Sequence, residues 1–328
     1  MRTYLVFTNF DCNLRCSYCY QCKKWNDVFD PERACRYVSS RLHEDNPRDE
    51  DILVYCIGGE ALLYPEKLDE LFTRLTPVIE EFHCRPQFKI QTNGTLVSGE
   101  RQKALIEKYR GNIRFGFSID GCKARHDKNR CGSFDAAVAG LRTAQTLLPK
   151  ERFSVKATFT PEDIPDYAEN VVFLLGLGVE TVVSNFTVQD PIPMELAPTL
   201  AEQMCLVVDW MEAHPECAIW QELLPPPDRV AHGCGIGETA RCQTPDGTEY
   251  PCIQFACNKR QPSKNWRVEA RMAPHTCREC VLYRECNPCY AYTRGDTAHV
   301  RPWCAYTWAR AVARIYHSLK ERKTTWHS

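Results

Sequence analysis

Apolar residues along this chain fall into two rhythms. Short unbroken runs at Tyr4–Thr8, Ile52–Ile57, Ile113–Ile119, Val155–Phe159 and Val179–Phe186 have the length of buried strands. Phe88–Gln91, running into Thr92-Asn93-Gly94, reads as another strand ending in a turn. Between the runs, apolar residues recur at helical spacing. Pro65–His83 places Leu68, Leu71, Phe72, Leu75, Val78 and Ile79 on one face, and Pro77 within it predicts a kink or a break. A helix starts after Asp30, a side chain suited to capping, with Pro31 at the first helical position. Ser98–Tyr109, Phe134–Leu148, Tyr167–Leu177 and Pro198–His214 complete the helices.

Strands alternating with helices imply parallel β-α units joined by right-handed crossovers. Six such units are too few for a closed eight-stranded barrel, so the expected fold class is α/β, a partial (β/α)6 TIM-like barrel over residues 1–215. Ligands in parallel α/β folds sit at the C-terminal ends of the strands. Those ends carry the loop Asn9–Tyr20, Gly58-Gly59-Glu60, Asn93-Gly94 and Asp120-Gly121. Pro225-Pro226-Pro227 marks a boundary. Beyond it, residues 231–310 are rich in Cys, punctuated by Pro and Gly, and poor in long apolar runs, which predicts a small domain that needs metal to fold. Trp303–Lys320 returns to helical spacing and opens a C-terminal helix and tail, residues 303–328.

Composition changes this picture in one respect. Apolar content of 44% and charged content of 25% are ordinary for a globular protein. The formal net charge is −1 and the basic residues are scattered, so no footprint for nucleic acid emerges. No run approaches the roughly 18 apolar residues of a membrane span, and no signal peptide opens the chain. The expectation is a cytoplasmic protein without membrane or nucleic-acid partners. Cysteine is the outlier, at 20 residues. Without an export signal a disulfide scaffold is excluded. Cys35, Cys56, Cys84, Cys122, Cys131, Cys205 and Cys217 stand alone and read as small packing residues. The others are grouped.

Cys12, Cys16 and Cys19 form C-x3-C-x2-C directly after the first strand. Three thiolates on one tight loop suit a [4Fe–4S] cube with its fourth iron open, or alternatively a zinc knuckle. With this loop the chain resembles the radical S-adenosylmethionine superfamily, and the likeness continues beyond the cysteines. By that resemblance Tyr18 lies beside the adenine, and Gly58-Gly59-Glu60 binds the methionine amino group. Glycines permit close backbone approach, and a carboxylate matches an ammonium. Family members usually carry Pro where this chain has Ala61, a change expected to alter loop stiffness alone. Asn93 belongs to the same implied cofactor set. Phe115–Gly121, His126-Asp127, Arg130 and Gly132-Ser133-Phe134 resemble the peptide-modifying branch, and imply that Ser118 and Arg130 reach the methionine carboxylate or the ribose. The implied chemistry is reductive cleavage of S-adenosylmethionine to a 5′-deoxyadenosyl radical, which abstracts hydrogen from the substrate. The residues taking any catalytic acid or base role stay unknown.

The C-terminal cysteines resemble the SPASM extension of such maturases. The resemblance implies an auxiliary cluster on Cys234, Cys242, Cys252 and Cys289, and a second on Cys277, Cys280, Cys286 and Cys304, for three [4Fe–4S] clusters in all. Two residues separate Cys286 from Cys289 where the family usually has three, which puts the partner of Cys289 in doubt. Two zinc ribbons are the alternative. Cys22 and Cys257 lie close to the cluster loops and read either as ligands or as buried bystanders, the second reading being favoured.

Relatives carrying this extension act on peptides and proteins. One branch, which makes formylglycine in sulfatases from Cys or Ser, carries Asp where this chain has Ile253, with Asp246 and Glu249 the nearest substitutes. The expected reaction is therefore an oxidative thioether or carbon–carbon crosslink within a ribosomally made peptide, with formylglycine formation second. The implied partners are that precursor peptide and an electron donor such as flavodoxin or ferredoxin. The chain opens at its first strand, so either a separate protein recognises the peptide leader or the substrate binds directly. A non-enzymatic, zinc-rich binding module is the alternative from another class.

Overall fold

Strand and helix alternate as the apolar pattern predicts. The computed structural model describes residues 1–19, 21, 27–187, 190, 192–224, 241–257, 264, 279–282, 286, 289 and 301–325. In chain order its elements are β1 (Arg2–Phe7), α1 (Pro31–Asp45), β2 (Asp51–Ile57), α2 (Pro65–Glu80), β3 (Arg85–Thr92), α3 (Glu100–Lys108), β4 (Ile113–Phe117), α4 (Lys123–Asn129) and α5 (Phe134–Leu147). They continue with β5 (Phe153–Phe159), α6 (Tyr167–Leu175), β6 (Thr181–Phe186), α7 (Ala197–Ala213), β7 (Ile219–Trp220), β8 (Cys242–Gln243), β9 (Glu249–Tyr250), α8 (Ile253–Cys257) and α9 (Arg301–Thr325). Each of β1 to β6 is followed by a helix, giving the six β-α units of the expected α/β fold.

Two compact units divide the chain. The first comprises Met1–Ile119, Lys123–Ser154 and Gly235–Pro262, and the second Asp120–Cys122, Val155–Cys234 and Ser263–Ser328. In the first unit the strand order is β4-β3-β2-β1-β8-β9. The four long strands pair in parallel, β8 joins β1 in parallel at Leu5↔Cys242, and β9 folds back antiparallel on β8. In the second unit β5, β6 and β7 are neighbours in that order, with β7 parallel to β6 at Thr181↔Ile219.

Local chemistry explains the elements. The Asp30 carboxylate accepts the Glu32 N–H at 2.9 Å and starts α1. Helix α2 buries Leu68, Leu71, Phe72, Leu75 and Ile79 completely, each contributing about 1.5–3 kcal/mol of hydrophobic stabilisation. The Phe72 ring stacks on Phe88 of β3 at 4.0 Å. Pro77 breaks nothing. It occupies the last turn of α2, which stops at Glu80 rather than His83. Strand β3 starts at Arg85, earlier than expected, where the Arg85 guanidinium meets Asp51 of β2 at 2.7 Å. Phe88, Ile90 and Thr92 are buried on its helix-covered face, whereas Gln87, Lys89 and Gln91 on the other face are half-buried. Helix α9 runs beyond Lys320, whose ammonium engages Asp209 and Glu212 of α7.

Of the cysteines read as packing residues, Cys56 and Cys84 are buried and Cys35, Cys122, Cys205 and Cys217 half-buried. Cys131 is exposed, at a left-handed φ of 57°, so it belongs to a turn and not to a core. The triple proline at 225–227, Cys22, Cys234 and Cys277 lie outside the described residues. Among the described residues, no helix is long and apolar enough to cross a membrane.

Candidate functional site

The first unit gathers the N-terminal cysteine loop, the Gly58–Glu60 turn, the end of β3 and the α4–α5 turn. The chain leaves β1 at Thr8, whose N–H donates to the Ile57 carbonyl at 2.7 Å, and enters the loop through Asn9. Asn9 is fully buried and links loop to turn: its Nδ2 donates to the carbonyls of Asp11 (2.8 Å) and Glu60 (3.1 Å). Two backbone bonds reinforce it, Gly59 N–H to the Asn9 carbonyl (2.7 Å) and Glu60 N–H to the Asp11 carbonyl (2.8 Å). The glycines are required by this contact. A Cβ on Gly58 would lie 2.7 Å from the Asn9 oxygen, and one on Gly59 only 1.9 Å from that of Asp11. Close approach was expected at these glycines; the group that approaches is the strand leading into Cys12.

Glu60 is tied into the protein at the same place. Its side chain is fully buried and committed to the protein: Oε1 accepts from Leu62 N–H (3.0 Å) and Thr92 Oγ1 (2.7 Å), and Oε2 from Asn93 N–H (2.7 Å). Burial lifts its pKa above the usual carboxylate value, against the pull of these donors and of the Arg130 charge. The carboxylate thus locks the turn to the end of β3. Asn93 extends the lock, donating from Nδ2 to Asn13 Oδ1 at 2.8 Å while its own Oδ1 accepts from Thr95.

Ser118 follows β4. The Tyr55 hydroxyl donates to Gln91 Oε1 (2.8 Å), and Gln91 Nε2 donates to Ser118 Oγ (3.0 Å). This chain fills the acceptor side of Ser118 and leaves its O–H as a donor. It also explains Gly116, where a Cβ would sit 2.3 Å from Gln91 Oε1. Burial pushes the Tyr55 phenol up to about 12, so it stays a donor at neutral pH.

Arg130 follows α4, a short helix without apolar periodicity that the sequence pattern missed. The turn to α5 is held by His126 Nε2 against Ser133 Oγ (3.0 Å) and by Asp127 Oδ1 accepting the Phe134 N–H (2.8 Å). That bond and Lys123 hold the Asp127 carboxyl below its usual value. Ser17 N–H donates to the Asn129 carbonyl at 2.9 Å, fastening the cysteine loop to the end of α4. The Arg130 guanidinium lies over the Tyr18 ring at 5.4 Å, with Nη1 4.0 Å from Cys16 Sγ.

These residues fit the iron–sulfur cluster that the cysteine spacing implies. Cys12, Cys16 and Cys19 are all partly accessible, the Leu14 N–H points at Cys12 Sγ (3.4 Å), and a guanidinium flanks Cys16, so the donors around the sulfurs favour thiolates. Among the described residues no three Cys, His, Asp or Glu side chains form a group placed for a single metal ion. A cube takes each thiolate at a different iron.

At the far edge of the same unit, Cys242 and Cys252 are both buried around the β8–β9 hairpin. Burial, and then the charges of Cys252 and Glu249, push the Cys242 thiol up. Asp246 is used by the hairpin turn, accepting from Thr244 Oγ1 (2.6 Å) and Thr248 N–H (3.0 Å), and Glu249 pairs with Arg241. Both carboxylates near Ile253 are thus engaged locally. Cys257 is buried in α8. In the second unit Cys280 is exposed, and Cys286, Cys289 and Cys304 are half-buried. Sequence reasoning missed Asn9, Asn13, Tyr55 and Gln91, polar residues at or near strand ends whose only signal is their place beside a motif.

A parallel α/β fold with a three-cysteine loop at its strand ends defines a class of cofactor-dependent enzymes. Residues 6–175 match the Radical SAM superfamily, and the chain belongs to it. An uncharacterized protein of Methanocaldococcus jannaschii is 28% identical over 52% of this chain and 57% of its own length. A cysteine-type anaerobic sulfatase-maturating enzyme of Clostridium novyi is 25% identical over 40% of this chain and 37% of its own. These matches thus span about half of the first relative and about a third of the second. Among solved structures, anSMEcpe with bound AdoMet superposes with a TM-score of 0.77 at 16% identity, covering 99% of both chains. SuiB of Streptococcus suis bound to the precursor peptide SuiA gives 0.63 at 15% identity, over 91% of this chain and 74% of that one. At such identities the likeness is one of fold.

Proposed function

We propose that this chain is a peptide or protein maturase that joins two positions of a ribosomally made peptide by an oxidative crosslink, thioether or carbon–carbon. The observation that carries the reading is the cysteine loop, held against Gly58–Glu60 by Asn9 and against α4 by Ser17, with an arginine beside its middle thiol. Cys12, Cys16 and Cys19 would hold a [4Fe–4S] cluster, which with S-adenosylmethionine supplies one-electron cleavage of a carbon–sulfur bond and so a hydrogen-abstracting carbon radical. Tyr18, Asn93, Ser118, Arg130 and the backbone of Gly58-Gly59-Glu60 would hold the nucleoside, with the Ser118 O–H donating to its carboxylate. Residues 231–310 would form the auxiliary domain, with one cluster on Cys234, Cys242, Cys252 and Cys289 and another on Cys277, Cys280, Cys286 and Cys304. An electron donor such as flavodoxin or ferredoxin would serve the first cluster, in the cytoplasm, and a separate leader-binding protein would present the peptide where direct binding does not.

A peptide substrate is supported by two fold neighbours solved with peptides, anSMEcpe with Kp18Cys and SuiB with SuiA. Formylglycine formation is the second reading, favoured by the Clostridium novyi relative and opposed by Ile253 and by the engaged Asp246 and Glu249. The test is anaerobic purification with iron and sulfide analysis, then reduction with S-adenosylmethionine and assay for 5′-deoxyadenosine. About twelve irons per chain, and nucleoside lost when Cys12, Cys16 and Cys19 are changed to Ala, support the reading. Zinc in place of iron promotes the binding module instead.

A further inference from the structure

We propose that Arg130 is a positioning residue that raises the reduction potential of the cluster carried by Cys12, Cys16 and Cys19, acting through the Cys16 sulfur. This rests on the function proposed above, since it needs that cluster to be present. Arg130 is nearly buried, 8% exposed, with Nη1 4.0 Å from Cys16 Sγ and its guanidinium carbon over the ring of Tyr18, two residues further on. Its charge reaches the fully buried Glu60 carboxylate as well. A guanidinium stays protonated at any working pH, so the charge beside the sulfur is constant.

The placement is built. Arg130 N–H donates to the His126 carbonyl at 2.7 Å, and Cys131 and Gly132 follow at φ 57° and 69°, reversing the chain. The same helix end grips Ser17, the residue between Cys16 and Tyr18, through the Asn129 carbonyl. The cation and the Cys16 sulfur are thus held by one short scaffold.

Reduction adds negative charge to a cluster and spreads it onto the ligand sulfurs. An N–H donor and a fixed positive charge beside one sulfur stabilise the reduced form more than the oxidised form, so they make the cluster easier to reduce. In a half-dry site this effect is screened less than on an open surface. A contact to the nucleoside is compatible with it, because the guanidinium has five donors in a planar fork.

The experiment is a redox titration followed by electron paramagnetic resonance on full-length, iron-loaded protein without S-adenosylmethionine. The relevant signal is the one lost on changing Cys12, Cys16 and Cys19 to Ala. Arg130→Met is expected to move its midpoint to more negative potential, and Arg130→Lys to move it less. Lys123→Met, which removes an exposed cation from the same helix, is expected to leave it in place. An unchanged midpoint in a fully loaded Arg130→Met protein overturns the inference and leaves the proposed function standing. Should that variant fail to take up iron, Arg130→Gln decides alone: it keeps an amide donor and loses the charge, and a wild-type midpoint overturns the inference. Wild-type protein that binds no iron and sulfide overturns the proposed function, and this inference with it.

Discussion

Gly59 has no side chain where the carbonyl of Asp11 passes: a methyl group there would lie 1.9 Å from that oxygen. The obstacle is backbone, which cannot swing aside as a side chain would. The turn after β2 and the residue before Cys12 are therefore fitted to each other at the level of the main chain.

Gly59→Ala is expected to destabilise the protein by about 3 kcal/mol, the upper end of ordinary overpacking, and to lower its iron content. Urea unfolding together with iron analysis measures both. Wild-type stability and loading in the variant would contradict the fit described here.

Gly116→Ala meets a softer obstacle, the amide end of Gln91. The amide is expected to swing away, releasing Ser118 Oγ, with little loss of stability. Weakening of S-adenosylmethionine binding by about five- to tenfold is expected, the equivalent of one lost hydrogen bond of ~1 kcal/mol. Calorimetry on the iron-loaded protein reads it, and unchanged affinity would remove the Tyr55–Gln91–Ser118 chain from cofactor binding.

Asn13→Ala removes the acceptor for Asn93 Nδ2 and, with it, the tie between the cysteine loop and the end of β3. The contact is partly exposed, so a stability loss of only about 1 kcal/mol is expected. Iron should nonetheless leave faster in the presence of a chelator, because the loop is freed locally. Equal release rates for variant and wild type would count against this.

The pH dependence of stability should carry the mark of Glu222, in the second unit. Its side chain is buried, Oε1 accepts from Ser184 N–H (3.1 Å) and the Tyr306 hydroxyl (3.2 Å), and Oε2 has no partner among the described residues. Burial raises its pKa, with the Arg310 charge opposing. A raised folded pKa means that the folded state holds this proton more tightly than the unfolded state does. The contribution is complete below the unfolded value of about 4.3 and is lost as pH rises through the folded value. Glu222→Gln should flatten that decline in unfolding curves taken across the range, and a decline of the same size in the variant would refute the assignment.

Much of the fold was legible because burial and period coincide. The apolar face of α2 is buried as read at Leu68, Leu71, Phe72, Leu75 and Ile79, and Asp30 caps α1 through its side chain. Three features were hidden for physical reasons. The start of β3 reads Arg85-Pro86-Gln87, polar and with a proline, because one face of that strand is not packed into a core. Helix α4 has no apolar stripe, since its purpose is to end at Arg130 and grip Ser17. Strands β8 and β9 are two residues each, too short for any period to show. At the site, composition identified the cysteines and the glycines but not what the glycines face. A glycine's spacing shows that room is needed, and only the fold shows which neighbour takes it. The same holds for Glu60, whose charge is plain in the sequence and whose donors Leu62, Thr92 and Asn93 are visible only in the fold.

The two faces of β3 have a consequence for how such a chain can change over generations. Phe88, Ile90 and Thr92 answer to the helix-covered interior, while Gln87, Lys89 and Gln91 answer to polar partners: Arg152, the Tyr55 ring, and the Tyr55–Ser118 pair. Along this strand the two faces thus set different limits on substitution: a change at Phe88, Ile90 or Thr92 is felt by the packed interior, whereas one at Gln91 is felt along the polar chain from Tyr55 to Ser118.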